Sequence, residues 1–169
     1  MRIFLVILFA ALCISCSEKP DTIESDIAPY RGWKKVLKKV IEYPVPGHGA
    51  GARVIYANDA AFKTKILESR EHQKKIILPE GALIIKESYN SIKEINSSAP
   101  VIYIMKKNSK SPDSIEGWMY YVRKPGMKIM FIKGRMCVGC HEAANERHPY
   151  FDGNEEGIFR DYIFTPILK

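Results

Sequence analysis

Cys137-Val138-Gly139-Cys140-His141 sets two thiols and an imidazole within five consecutive residues. At that spacing both sulfurs can reach the two vinyl groups of one porphyrin and form thioethers, and the next residue falls beneath the iron as a proximal nitrogen ligand. The stretch therefore reads as the attachment site of a single c-type haem, with Cys137 and Cys140 holding it and His141 on the metal. Two other chemistries use paired cysteines. A thioredoxin-like redox pair usually opens a helix after a strand and does not need the histidine. Half a zinc site needs two further ligands at similar spacing, and the other two cysteines, Cys13 and Cys16, stand at the amino-terminal end.

That end has its own signature. Met1-Arg2 is followed by an almost unbroken apolar run over 3–14, too short to span a bilayer and suited to the core of a secretory signal. Ser15-Cys16 then leads into the polar run over 17–21. A small residue before a cysteine at this point resembles a bacterial lipoprotein cleavage site. The expectation is a signal over 1–15, diacylation of Cys16, a flexible tether over 16–28 and a haem domain over 29–169. Lipid plus an amino-terminal acyl chain suffices for anchoring. The alternative is ordinary cleavage nearby and a soluble periplasmic protein. Every cysteine is then assigned, with none left for a disulfide. Covalent haem attachment takes place outside the bacterial cytoplasm, so the leader and the haem motif agree.

A chain of 169 residues with 46% hydrophobic and 27% charged residues is long enough for one domain with a real core. The formal net charge of +7 reads as a solvated lysine face. Docking to an acidic redox partner or an anionic membrane is the sharper alternative. Nucleic acid is excluded as a partner: no motif of a nucleic-acid fold is present and the leader sends the chain elsewhere.

Positioning elements follow from the pattern. Trp33, Val36, Leu37, Val40 and Ile41 recur at helical spacing opposite Lys34, Lys35, Lys38 and Lys39, which predicts an amphipathic helix stopped by Tyr43-Pro44. His48, in the glycine-rich loop over 44–51, is either a hydrogen-bonded loop residue or a sixth iron ligand. A strand over 53–57 leads to a helix capped by Asn58-Asp59 and running over 60–69. His72 falls in a charged, exposed run. A turn over 78–81 precedes a strand over 82–87, in which Lys86 and Glu87 face opposite ways; either both charges end the strand in water or one looks inward. Further strands are expected over 100–105, 116–123 and 127–132, with a lysine- and serine-rich loop over 106–113. Met105, Met119, Met127, Met130 and Met136 read as core filler rather than axial thioethers. A short helix over 137–144 carries the haem, His148 lies on the surface, and 161–164 packs back as a strand or extended segment.

The stretches over 53–61 and 78–87, the Gly117-Trp118 strand and Cys137 to His141 together resemble the cytochrome P-460 family, which includes cytochrome c′-beta. The likeness covers roughly 33–164, and its most specific element is Pro79-x-Gly81-x-x-x-x-Lys86-Glu87 ahead of a late C-x-x-C-H. The resemblance implies an α+β fold, mainly antiparallel β-sheet with flanking helices, and often a homodimer. It implies one haem with His141 proximal and no strong protein ligand on the distal side. In hydroxylamine-oxidising members the lysine at the position of Lys86 is cross-linked to the porphyrin, whereas cytochrome c′-beta members lack the cross-link and bind nitric oxide at an apolar distal face. Hydroxylamine oxidation also uses a distal glutamate, whose position aligns near Ile102; Glu94, Asp113 and Glu116 are the nearest carboxylates in sequence. The expected function is an exported mono-haem cytochrome. Its five-coordinate iron takes small nitrogen species (nitric oxide or hydroxylamine) or passes electrons to a periplasmic partner, with hydroxylamine or nitric oxide oxidoreductase activity left open. A six-coordinate electron carrier is the alternative.

Overall fold

The computed structural model describes residues 23–43, 47–49, 51–68, 74–148, 153–165 and 167. The leader over 1–15, Cys16, the tether as far as residue 22, Pro44, Pro46, His72 and Pro149 lie outside the described residues.

β2 (Ala52–Ala57), β5 (Leu83–Tyr89), β6 (Val101–Lys107) and β7 (Trp118–Arg123) are rich in β-branched and aromatic residues, the types that fit a packed, pleated surface. They form the centre of an antiparallel sheet in the order β1-β2-β5-β6-β7-β8, edged by the two-residue strands β1 (Lys34–Lys35) and β8 (Met130–Phe131). The fold is α+β, mainly antiparallel sheet with two short helices, α1 (Ile23–Ile27) and α2 (Met136–His141). A separate hairpin joins β3 (Lys65–Glu68) to β4 (Lys74–Ile77).

Register decides what each sheet face carries. Ile55 stands opposite Lys86, Lys86 opposite Tyr103, Tyr103 opposite Val122, and Val122 opposite Met130. Side chains alternate along a strand, so this row and its neighbours Ala57, Ile84, Met105 and Tyr120 look to one side, where Val138 of α2 and Ile163 complete the core. Val54, Tyr56, Ile85, Ile102, Ile104 and Tyr121 look to the other and pack with Ile23, Ile27 and Tyr30. Both faces are covered, which is why the strands read as nearly continuous apolar runs.

Several expectations are corrected. No helix forms over 33–41. Val36 N–H donates to the Ile55 carbonyl (2.9 Å) and Ile41 exchanges bonds with Arg53 (3.1 and 2.9 Å), so pairing at the sheet edge overrides helical periodicity. The helix over 60–69 is a single 3₁₀ turn, Ala61–Lys63, followed by β3. Asn58 Oδ1 does accept from Ala61 N–H, but it also accepts from Leu83 N–H (both 3.0 Å), tying the turn to β5. The flexible tether expected over 16–28 does not extend over Ile23–Ile27, which is a helix: Ile23 and Ile27, one turn apart, are buried and Asp26 pairs with Lys106 (2.9 Å). β6 continues through Lys107, where a loop was expected. His148 is buried, not superficial, and bridges Asn154 through paired 3.1 Å backbone bonds. The segment over 161–164 packs back as expected, but as a turn, not a strand.

Candidate functional site

α2 sets Cys137, Cys140 and His141 at i, i+3 and i+4, the spacing that brings side chains to one face of a helix. Val138, fully buried, pins the helix to the sheet, a burial that contributes about 1.5–3 kcal/mol. Cys137 is half-buried and Cys140 exposed, both as free thiols. Burial, with Cys140 alongside, pushes the Cys137 thiol above its usual range.

His141 is oriented from behind. Its Nδ1 lies 2.8 Å from the Tyr162 carbonyl. A neutral imidazole can donate there only from Nδ1–H, which leaves the Nε2 lone pair free for a metal. Burial pulls His141 down to about 4, against the raising effect of that carbonyl and with the nearby Lys86 charge adding to the fall. The ring is flanked by Tyr120 and Phe164, each with centroids 5.7 Å away, and by His48 at 6.1 Å.

Tyr162 can present its carbonyl because two consecutive non-glycine residues are left-handed, Asp161 at φ 50° and Tyr162 at φ 67°. Such backbone costs about 1–3 kcal/mol per residue and persists only where the surroundings fix it. Here Asp161 Oδ1 accepts from Lys107 Nζ (2.7 Å) and Trp118 Nε1 (3.2 Å), and its Oδ2 accepts from Leu78 N–H (2.9 Å). Asn145 Oδ1 accepts from Tyr162 N–H (3.1 Å).

Across from α2 stands the Lys86–Tyr103 row. Lys86 is half-buried with Nζ 5.0 Å from the Tyr103 ring centroid. Burial and then the Arg53 charge pull its ammonium down to about 7, Cys137 acting the other way. Glu87 points into the opposite face, 2% exposed, accepting from Tyr30 Oη (2.7 Å), Arg31 Nε (3.0 Å) and Tyr89 Oη (2.8 Å). Neither charge ends the strand in water: one serves the candidate site and the other the far core.

His48 joins the same space. Its ring meets Tyr103 edge-on at 4.5 Å, and burial, then the charges of Lys86, His141 and Arg53, pull it down to about 3. The loop bearing it is held from inside by Arg53, which is 1% exposed. Arg53 Nη1 donates to the carbonyls of Tyr43 (2.7 Å) and Gly51 (3.0 Å), and Nη2 to those of His48 (3.5 Å) and Gly49.

The other sequence candidates lie elsewhere. Ile102 is buried in the far core, so the position aligned with a distal glutamate does not face Lys86. Glu94 accepts from Asn90 N–H (3.2 Å), Asp113 is exposed, and Glu116 lies 3.8 Å from Arg135 at the rim. Met105 is core, Met119 packs on the far face, and Met127, Met130 and Met136 are exposed. An open cleft of about 570 Å³ near Arg31, Asn96 and Arg123 takes in Ile102 and Met127 but none of Cys137, Cys140, His141, Lys86 and His48. Sequence reasoning missed Arg53, Tyr103, Asp161 and Tyr162. Arg53 left a trace as a charge between apolar neighbours in a strand; a carbonyl donated by a left-handed turn leaves none.

A sheet face with a C-x-x-C-H helix over one end is the framework of a small haem protein, and the side chains fit such a group. Arg53 Nε, Ser88 Oγ, Tyr120 Oη and His48 Nδ1 are buried without hydrogen-bond partners. Arg53, Ser88 and Tyr120 occupy that one sheet face, and orphaned polar atoms there call for a partner the polypeptide does not supply. Among the described residues, no three His, Cys, Asp or Glu side chains gather as a metal cage. The family model for Cytochrome P460 matches residues 27–165, most of the chain. The chain belongs to the cytochrome P460 family, and haem is the cofactor that membership implies. No curated protein matches the chain.

Proposed function

We propose that this is an exported, mono-haem c-type cytochrome that binds small nitrogen species, nitric oxide foremost, on the iron face opposite His141. The observation that carries the reading is the arrangement of α2: both thiols and His141 share one helical face, and Tyr162 fixes the imidazole with Nε2 free. Cys137 and Cys140 would hold the haem by adding S–H across its two vinyl groups, which needs no oxidant. Arg53 Nε and Ser88 Oγ, paired across β2 and β5, would donate to its carboxylates. Bound haem supplies a metal that takes a diatomic or hydroxylamine ligand and changes oxidation state.

The protein's own part is to hold, orient and desolvate. Lys86 faces this space as an amine easily freed of its proton. That supports a bond from Nζ to the porphyrin edge; such a bond loses one N–H and one C–H hydrogen and needs a two-electron oxidant such as peroxide. On the strand positions facing Lys86 there is no carboxylate, and proton removal from hydroxylamine needs a base within hydrogen-bond reach. This favours ligand binding and electron exchange over hydroxylamine turnover. The leader over 1–15 and Cys16 support export and lipid anchoring to the membrane. The lysines over 34–39, exposed, suit an acidic periplasmic redox partner.

The test is to mature the full chain in a host competent for c-type haem attachment and add nitric oxide or carbon monoxide to the ferrous protein. The expected result is a Soret shift with either gas. A ferrous spectrum indifferent to both would remove small-ligand binding and leave an electron carrier.

A further inference from the structure

His48 lies in the space between His141 and the Lys86–Tyr103 row. Two imidazoles bound to opposite sides of one metal at about 2 Å each have ring centres about 6 Å apart. The centroids of His48 and His141 are 6.1 Å apart. Their planes cross at 85°, an arrangement open to two axial rings because each can turn about its own metal bond. Lys86 Nζ lies 5.0 Å from the ring centroid of Tyr103, which His48 meets edge-on at 4.5 Å, so the lysine stands beside the same aromatic wall as His48. His141 spends Nδ1 on Tyr162, and His48 Nδ1 is buried with no hydrogen-bond partner. A buried imidazole nitrogen without a partner is costly, and a metal between the rings would satisfy it.

The loop is shaped for this. Gly47 and Gly49, on either side of His48, have φ of 74° and 72°, conformations that only glycine adopts cheaply. Arg53 gathers the carbonyls of Tyr43, His48, Gly49 and Gly51 beneath it, and the edge of Tyr103 sets the ring's tilt.

From this geometry we infer that His48 is the sixth ligand of the resting haem iron, and that a small ligand binds by displacing it. The inference rests on the proposed haem site and adds a gate to it: the iron is six-coordinate at rest and opens when His48 leaves. Displacement breaks one iron–nitrogen bond and forms one iron–ligand bond, with no change of oxidation state.

The experiment uses the full-length holoprotein and three readouts. The wild type should give low-spin ferric and ferrous spectra with the magnetic signature of two imidazoles. His48→Ala should turn high-spin, and added imidazole should restore the low-spin spectrum. In stopped flow, carbon monoxide binding to the ferrous wild type should reach a plateau rate as the gas concentration rises, while His48→Ala should bind at least tenfold faster with no plateau. A high-spin wild-type spectrum unaltered by His48→Ala would overturn the inference and leave the haem proposal standing. Low-spin spectra persisting in His48→Ala would assign the ligand to another group, Lys86 first, and also overturn it. Should His48→Ala not fold, the wild-type spectrum and the plateau decide alone. Haem-free material would fail the underlying reading instead, and is told apart by its lack of colour.

Discussion

His141 Nδ1 and the carbonyl oxygen of Tyr162 lie 2.8 Å apart, and that carbonyl is aimed by two successive left-handed residues locked through the Asp161 carboxylate. The His141 imidazole is therefore oriented by a buried ion pair on a different part of the chain. Asp161→Ala would strand the Lys107 ammonium, 2.7 Å away, and leave Trp118 Nε1 and Leu78 N–H without their acceptor. Breaking one side of such a buried pair costs about 3–5 kcal/mol. Denaturant unfolding of the holoprotein should show a loss of that size. With a weaker hydrogen bond behind it His141 becomes a poorer donor to iron, so the reduction potential should rise. A variant as stable as wild type with an unchanged potential would show that Asp161 does not position the imidazole.

Lys86 and Glu87, adjacent in sequence, should behave as residues of different sites. Glu87→Gln weakens three hydrogen bonds in the far core, one of them from Arg31, and should cost about 1–3 kcal/mol while the haem spectrum stays as it was. Lys86→Met should leave stability the same or higher, since burial opposes the charged form, and should alter the haem-edge chemistry. The check is urea unfolding beside optical spectra for both variants. A spectral change in Glu87→Gln larger than that in Lys86→Met would reverse the face assignment.

The Lys86 amine gives a pH dependence. Only its neutral form is nucleophilic, and its pKa is lowered to about 7. Peroxide-driven linkage to the porphyrin should therefore accelerate as pH rises through about 7 and level off above it. Tryptic mapping of timed samples measures the loss of the free Lys86 peptide. Quantitative recovery of that peptide at every pH ends the cross-link idea.

How much of this could be read in the chain beforehand depends on the range of the interaction. C-x-x-C-H and the strand expected over 82–87, which the structure shows at Leu83–Tyr89, are local patterns, in which spacing alone sets which groups share a side. Trp33 to Ile41 carries as good a helical pattern, yet its backbone pairs with β2. Nothing within that segment reports that an open sheet edge lies beside it. His148 looks superficial in a polar loop, yet it is buried, with Asn154 bonding back to its backbone and the Phe164 ring 6.1 Å away. The clamp of Arg53 and the turn at Asp161–Tyr162 depend on partners distant in sequence, so no local rule exposes them.

Placing a carboxylate at Ile102 tests the alignment that assigned a distal base there. Ile102 is 2% exposed on the face away from Lys86. Ile102→Glu should destabilise by about 3–5 kcal/mol, as an unpaired charge or a protonated acid forced into an apolar core, without conferring hydroxylamine oxidation. Melting curves and a hydroxylamine-dependent reduction assay check both halves. Gain of turnover in a stable Ile102→Glu protein would show that the residue faces the haem.

The central claim is covalent attachment of haem through Cys137 and Cys140 with His141 on the iron. Its most direct measurement is acidic organic extraction of the matured protein, followed by mass spectrometry of the peptide spanning 137–141. The account predicts that the colour stays with the polypeptide and that this peptide carries one haem mass. Colourless protein, extractable haem, or an unmodified peptide with both thiols free would contradict it.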